Sequence, residues 1–410
     1  MKRGDLVAGL DLGTTKICAV IAEATGNTRM SGIRVLGVGL SKGSGVRRGV
    51  VRDLEETTHS IVQALRDAER MAGVRVPAVH CGIAGEHVSA RSSVGLAAIT
   101  GDEIRREDVK RVDDSARAVN LGTDRVLLHD IPQEYQVDNQ GGISDPLGMT
   151  GLRLEVDMYL VSVQSTAVQN LRKSVERAGY RVADVVLEPL AASLAVLAEE
   201  EKELGCTLVE LGGGSTNVSV FRDGKIRFLW SCPFGGARVT SDIVQGLQVT
   251  QADAERLKER WGVAYEPLVD PNETIELPAM PGQSARGAKR ELLAHIIHQR
   301  LDEIFGLVHG QIATAGYAVR LPAGVILTGG GAHLAGVVEL AREVFAMPAR
   351  AGEPNRGITG LVDSVQAPRY AVPVGLALYA ARQRVHGTAE RDTAVDRLFA
   401  PVRRWLQDFF

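Results

Sequence analysis

Cysteine, aromatic side chains and net charge are all scarce in this chain of 410 residues. Its four cysteines, Cys18, Cys81, Cys206 and Cys232, show no CxxC spacing and sit mostly in apolar runs. That pattern argues against a disulfide scaffold or a zinc site and predicts reduced core residues in a cytosolic protein. A net charge of −3 removes any global electrostatic case for nucleic acid as a partner. No uninterrupted apolar run reaches transmembrane length, and Met1-Lys-Arg-Gly-Asp leads straight into an apolar strand, so no signal peptide is expected. Aromatics make up 4% of the chain, yet several of them fall in its last dozen residues. Hydrophobic content of 45% and charged content of 24% are those of an ordinary soluble protein, long enough for two or more domains.

Glycine, in contrast, is abundant and is placed with purpose. In Thr207-Leu-Val-Glu-Leu-Gly-Gly-Gly-Ser-Thr-Asn-Val-Ser-Val-Phe221, two apolar runs flank Gly212, Gly213, Gly214, Ser215 and Thr216. This predicts a β-hairpin whose turn leaves backbone N–H groups uncovered and able to converge on an anion. Ser215 and Thr216 add hydroxyls, and Glu210 places a carboxylate at the strand end. A carboxylate beside a phosphate cradle makes sense when a divalent cation with its waters lies between them. The plainer alternative is a glycine-rich surface hairpin with nothing bound. The N-terminal stretch Val7–Ile21 repeats the design with Asp11, Gly13, Thr14, Thr15 and Lys16. A third turn, Gly329-Gly330-Gly331, follows the apolar run Gly324–Thr328 and is expected to open a helix, where a nucleoside can approach backbone closely.

Two acid-bearing hairpins followed by a strand–triple-glycine–helix turn resemble the actin, Hsp70 and sugar-kinase superfamily of ATP-binding proteins. The resemblance implies an α/β fold of two related lobes with ATP and Mg2+ in the cleft between them. Asp11 would hold the metal through water. Glu188, at the start of the helix Glu188–Leu197, would lie near the attacking water, although a helix-start carboxylate facing the dipole is the simpler alternative. Gly235 and Gly236 open the stretch Gly235–Asp242 ahead of a further helix and would join the nucleotide contacts. Ala254-Glu255 with Lys258 resembles an A-E-x-x-K signature that meets ribose and adenine, while Glu255 and Lys258 also make an ordinary i,i+3 pair. Where the superfamily usually carries Asp in the second hairpin this chain has Glu210, one methylene longer, which favours binding with slow turnover.

Residues 85–165 read as an α+β insert, with alternating Val88–Val94, a helix over Arg106–Val119, and strands near Val126–Ile131 and Leu152–Val163. Its position, Ile131-Pro-Gln-Glu-Tyr-Gln-Val-Asp138 and Asp145-Pro-Leu-Gly-Met-Thr-Gly-Leu-Arg-Leu-Glu155 resemble the FtsA family of bacterial actin-like cell-division proteins. The family pattern divides the chain into lobe one (1–84, 166–193, 366–386), the insert (85–165), lobe two (194–240, 305–365), a small subdomain (241–304), a linker (387–394) and a terminal segment (395–410). A pilus-assembly actin-like adaptor and a small-molecule kinase of the same fold remain alternatives.

In the terminal segment Val395, Leu398, Phe399, Val402, Trp405, Leu406, Phe409 and Phe410 recur at helical spacing, opposed by Arg397, Arg403 and Arg404. That is an amphipathic helix suited to an anionic membrane surface, with Pro401 either kinking it or marking its first turn. Folding back onto the protein's own core is the alternative. The family resemblance implies a peripheral protein at the cytoplasmic face of the inner membrane at the division site, assembled head to tail with copies of itself. It also implies the tail of the tubulin-like protein FtsZ as a partner of the small subdomain, where Arg286 and Arg300 are compatible with acidic residues, and later division proteins as partners of the insert.

Overall fold

A computed structural model describes residues 6–27, 30–278, 286–317 and 321–387. The expected amphipathic helix, with Leu398 to Phe410, lies outside the described residues.

Two sheets share a five-strand topology, to which the first adds Ile358–Gly360 parallel to Met30–Lys42. The first runs Arg181–Leu187, Ala78–Ile83, Leu6–Leu12, Lys16–Asn27, Met30–Lys42 and Ile358–Gly360. The second runs Ala349–Ala351, Val325–Thr328, Cys206–Leu211, Thr216–Arg222 and Lys225–Cys232. In each, a three-stranded antiparallel meander continues into two parallel strands. Because the central strands are covered on both faces, Cys206–Leu211 is buried at every position, and an unbroken apolar run is what such a strand requires.

Local signals set the helix ends. Helix Leu54–Ala72 begins at Asp53, whose carboxylate accepts from the Glu55 and Glu56 amides, and stops at Gly73 in the left-handed region. The helix at 106 ends at Arg117, two residues short of the expected Val119. Two helices, Glu188–Val196 and Ala371–Gly387, the second buried over 371–381, lie between the lobes. Their approach is set at Gly375, where a Cβ would stand 1.9 Å from the Ala191 carbonyl oxygen. One core joins these helices to both sheets through Val20, Leu187, Ala191, Leu208, Phe221 and Leu376. The opposite face of each sheet has its own core, under Leu54–Ala72 and Ser165–Arg177 in the first lobe and under Gly236–Leu247 and Arg290–Thr314 in the second.

The insert is a four-stranded sheet ordered Val88–Ala98, Arg153–Gln164, Arg125–Val137 and Gln140–Ile143, with helix Arg106–Arg117 on one face. The small subdomain contains a short 3-10 turn, Glu266–Leu268, and the strand pair Thr274–Leu277 with Arg286–Lys289. One expectation needs correction. After Val325–Thr328 the chain makes a 3-10 turn, Gly330–His333, and the α-helix starts only at Val337. Gly329 at φ 82° and Gly336 at φ 77° both adopt left-handed backbone, which interrupts helix propagation between them.

Candidate functional site at the meeting of two hairpins

Each central hairpin carries an acid one residue before its last strand position. In the first, Asp11 pairs across the ladder with Cys18; in the second, Glu210 pairs with Asn217. The turns between them meet. A Cβ on Gly213 would lie 2.5 Å from Thr15 Cγ2, and one on Gly214 would lie 2.4 Å from Thr14 Oγ1. Glycine is therefore required at both positions for the turns to approach this closely. Helix Gly236–Leu247 is seated on the same turn: the amides of Gly236 and Ala237 donate to the carbonyls of Gly212 and Gly213 at 2.9 and 2.8 Å. A Cβ on Gly235 would fall 2.5 Å from the Gly212 oxygen.

Glu188 reaches the same place from the first inter-lobe helix, its side chain crossing Gly82, where a Cβ would stand 2.7 Å from Glu188 Cγ. Asp11 and Glu210 are buried, Glu188 and Lys16 are half-buried, and the four interact electrostatically in one place. Burial, then the charges of Glu210 and Asp11, holds the Glu188 carboxyl well above the usual carboxylate range. Burial and then Asp11 push Glu210 up to about 7, against an Asn217 Nδ2 hydrogen bond at 3.4 Å. Burial also raises Asp11, partly offset by Lys16, whose Nζ stands 3.5 Å from Asp11 Oδ2. The Lys16 ammonium is raised despite its burial, chiefly by the charge of Asp11. Acids whose carboxyls are pushed upward by burial and by one another's charge form a place where a cation would relieve both costs. Among the described residues no group of three or more His, Cys, Asp or Glu side chains is arranged to hold a metal ion. A hard cation here would take much of its oxygen shell from water and phosphate.

The remaining candidates gather around this centre. Gly329 packs against the end of the second hairpin's first strand, where its Cβ would meet the Leu211 oxygen at 2.6 Å. Lys258 Nζ contacts Glu255 Oε2 at 2.8 Å, Thr240 Oγ1 at 2.9 Å and the Gly236 carbonyl at 3.2 Å. The pair thus sits against the helix that starts at the cradle and is more than a solvated i,i+3 contact. Several contacts were not legible from the sequence. Arg48, at φ 51°, donates its backbone N–H to Thr14 Oγ1 at 3.2 Å. Lys16 Nζ donates to the Arg369 carbonyl at 2.5 Å and lies 5.7 Å from the centroid of the Tyr370 ring. Only the succession Arg47-Arg48-Gly49, a turn signal, hinted at the first of these. The two basic candidates of the small subdomain are engaged within the chain: Arg300 forks onto Asp242 at 2.5 and 3.2 Å, and Arg286 donates to the Leu247 carbonyl at 2.5 Å.

The family model for cell division protein FtsA matches residues 207–375, and that for the SHS2 domain inserted in FtsA matches residues 85–162. The chain is 38% identical to the cell division protein FtsA of Pseudomonas aeruginosa, covering 100% of this chain and 99% of that one. With the Escherichia coli FtsA it shares 34% identity over 98% of this chain and 96% of the relative. The chain belongs to the FtsA family. It is an actin-like cell division protein, and residues 85–162 are its inserted SHS2 domain. Among solved structures, the PilM–PilN type IV pilus biogenesis complex aligns with a TM-score of 0.65 at 17% identity, covering 92% of this chain and 98% of that one. MreB5 of Spiroplasma citri bound to ADP aligns at 0.57 and 13% identity, covering 95% and 100%. These two similarities establish the actin-like fold alone. Membership of the FtsA family sets aside the sugar-kinase and pilus-adaptor alternatives.

Proposed function

We propose that the cleft binds ATP with magnesium and that this chain links division filaments to the membrane. The observation that carries the reading is the convergence of Asp11, Glu188, Glu210 and Lys16 where the two hairpin turns meet. The backbone of Gly13–Thr15 and Gly212–Thr216 would receive the phosphates, with Lys16 as their charge partner. Glu255, Lys258 and the Gly329–Gly331 turn would receive the nucleoside. Magnesium would supply neutralisation of phosphate charge, with Asp11 holding its waters. Burial holds the Glu188 carboxyl well above the usual carboxylate range, and Glu210 is one methylene longer than the Asp usual at its place, so binding with slow turnover is the expected behaviour. Nucleotide then acts mainly as a ligand that selects one arrangement of the lobes.

The terminal segment 395–410 supplies a weak anchor. A buried Leu, Val or Phe side chain is worth roughly 1.5–3 kcal/mol, only part of that face is buried at an interface, and ordering the helix costs entropy. Head-to-tail assembly makes many such anchors act together. The small subdomain would take the acidic FtsZ tail, which must compete with Asp242 if it is to use Arg300. The insert would meet later division proteins. Sedimentation with vesicles containing anionic lipid, with and without MgATP and with a labelled FtsZ tail peptide, tests the reading. Wild type should pellet more with MgATP and carry the peptide down. Asp11→Ala should lose the MgATP increment, and truncation after Ala394 should lose pelleting. Equal pelleting of all three forms would overturn it.

A further inference from the structure

The insert strand Arg125–Val137 contains the Ile-Pro-Gln-Glu-Tyr segment, whose role in the fold is not explained by the insert's own sheet. Two of its residues reach out of that sheet. His129 is 1% exposed, and its Nε2 accepts the Leu187 backbone N–H at 3.0 Å. Accepting at Nε2 requires the neutral ring with its proton on Nδ1, and burial favours that form. Leu187 immediately precedes Glu188 and caps the helix that carries it. Four residues further on, the Gln133 carbonyl accepts from Lys225 Nζ at 2.5 Å, and its Oε1 accepts from Arg227 Nη1 at 2.9 Å.

Lys225 and Arg227 open the outer strand of the second lobe's meander, Lys225–Cys232. At the far end of that strand Ser231 Oγ donates to Asn217 Oδ1 at 2.8 Å, and Asn217 is the residue that hydrogen-bonds Glu210. One insert strand is thus tied by separate routes to both flanking acids. His129 leads through Leu187 to Glu188, and Gln133 leads through strand Lys225–Cys232 and Asn217 to Glu210. Between the two ties, Ile131 is buried in the same core as Leu187, Leu190, Phe221 and Ile226, so the strand has little freedom to shift independently of either lobe.

We propose that strand Arg125–Val137 couples the insert to the cleft, with His129 as a positioning residue for Glu188 and Gln133 as the catch that holds the second lobe. This rests on the reading of the cleft as the MgATP site. Coupling of this kind is reciprocal: a ligand in the cleft stiffens the insert, and a protein docked on the insert changes affinity in the cleft.

The test uses the full chain and two measurements, MgATP affinity and hydrogen exchange of residues 125–137 and 183–190 with and without MgATP. In wild type MgATP should slow exchange in both segments. His129→Phe keeps the volume but removes the acceptor. It should lose the slowing over 125–137 and bind MgATP about fivefold more weakly, the lower end of ordinary coupling. His129→Gln restores an acceptor and should recover most of both, an outcome that a purely space-filling role would not produce. Should His129→Phe fail to fold, the double variant Lys225→Met, Arg227→Met cuts the other tie and should lose the same slowing. Wild-type binding with unchanged affinity and unchanged slowing in the folded variant would overturn the coupling alone. Absence of MgATP binding by wild type would overturn the reading of the cleft, and the coupling with it.

Discussion

The two central hairpins can be superposed residue for residue, because both close four-residue turns, 13–16 and 212–215, between ladders of identical register. Asp11 corresponds to Glu210, Cys18 to Asn217, Lys16 to Ser215, Gly9 to Leu208 and Val20 to Ser219. The frame is shared and the side chains are not. In lobe one the facing pair is Gly9 with Val20; in lobe two it is Leu208 with Ser219, so the small residue has moved to the other strand. In lobe one the polar partner of the acid is a lysine, and in lobe two an asparagine. The difference teaches that a duplicated scaffold needs only the turn glycines and the acid in common. Packing and charge can then diverge to suit one lobe that clasps the second inter-lobe helix and one that rests beside it.

The largest expected effect comes from making lobe one resemble lobe two at the packed pair. A Cβ at Gly9 would stand 2.2 Å from the Pro373 oxygen and 2.8 Å from Leu376 Cβ, so Gly9→Leu must displace the helix Ala371–Gly387. A cost of about 3–5 kcal/mol is expected, read as a lowered midpoint of urea unfolding. The reciprocal change Leu208→Ala leaves the backbone in place and opens a cavity, costing about 2–5 kcal/mol. The two should differ in a second way. Gly9→Leu should also disturb MgATP binding, because it moves the helix joining the lobes, whereas Leu208→Ala should affect stability more than binding. Tolerance of Gly9→Leu would mean that the packing distinction between the lobes is not real.

Much of this was readable from the chain because it is local. The hairpins, their glycine turns and the insert's position all rest on spacing or on one residue's backbone freedom. What could not be read rests on pairs brought together by the fold. His129 meets Leu187 across 58 positions and Lys225 meets Gln133 across 92. No periodicity encodes such contacts. The triple-glycine turn was misread as opening an α-helix because its outcome depends on left-handed angles at Gly329 and Gly336, which a run of glycines permits without requiring. Arg300 is compatible with an acidic partner on the sequence alone, and the partner it has within the chain, Asp242, is 58 positions away on another helix.

Charge gives the next effect in size. Glu210 is raised from 4.5 in the unfolded chain to about 7 in the fold, by burial and then by Asp11. Between those values the folded state binds more protons than the unfolded one, so stability is fully present below 4.5 and is lost as pH rises through about 7. The amount at stake is on the order of 3 kcal/mol. Glu210→Gln should therefore flatten the pH dependence of unfolding between pH 5 and 8 and be more stable than wild type at pH 8. Asp11 is raised as well, by burial that Lys16 only partly offsets, so Asp11→Asn should flatten the pH dependence in the same direction. Its gain should be smaller than that of Glu210→Gln, because it also leaves the Lys16 ammonium without its carboxylate. Equal responses of the two variants would show that the polar divergence of the hairpins carries no energetic weight.

The smallest expected effect tests whether lobe two still carries unneeded polar groups where lobe one has apolar ones. Thr207 and Ser219 are fully buried, and among the described residues neither Thr207 Oγ1 nor Ser219 Oγ has a hydrogen-bond partner. Their counterparts in lobe one are Ala8 and Val20, both buried and apolar. An unmet buried hydroxyl costs about 1–3 kcal/mol, while an apolar isostere removes that cost and keeps the contacts. Thr207→Val is nearly isosteric and faces the side of the strand shared with Val209 and Leu211, in the second lobe's own core. It should raise the unfolding midpoint by the equivalent of about 1 kcal/mol and leave MgATP affinity unchanged. Ser219→Ala, on the opposite face beside Leu208, should gain less, because losing the hydroxyl also leaves a small void against the core between the lobes. A loss of stability in Thr207→Val would mean that its hydroxyl is satisfied in solution, most simply by a buried water, and that the polar residues of lobe two are part of its structure.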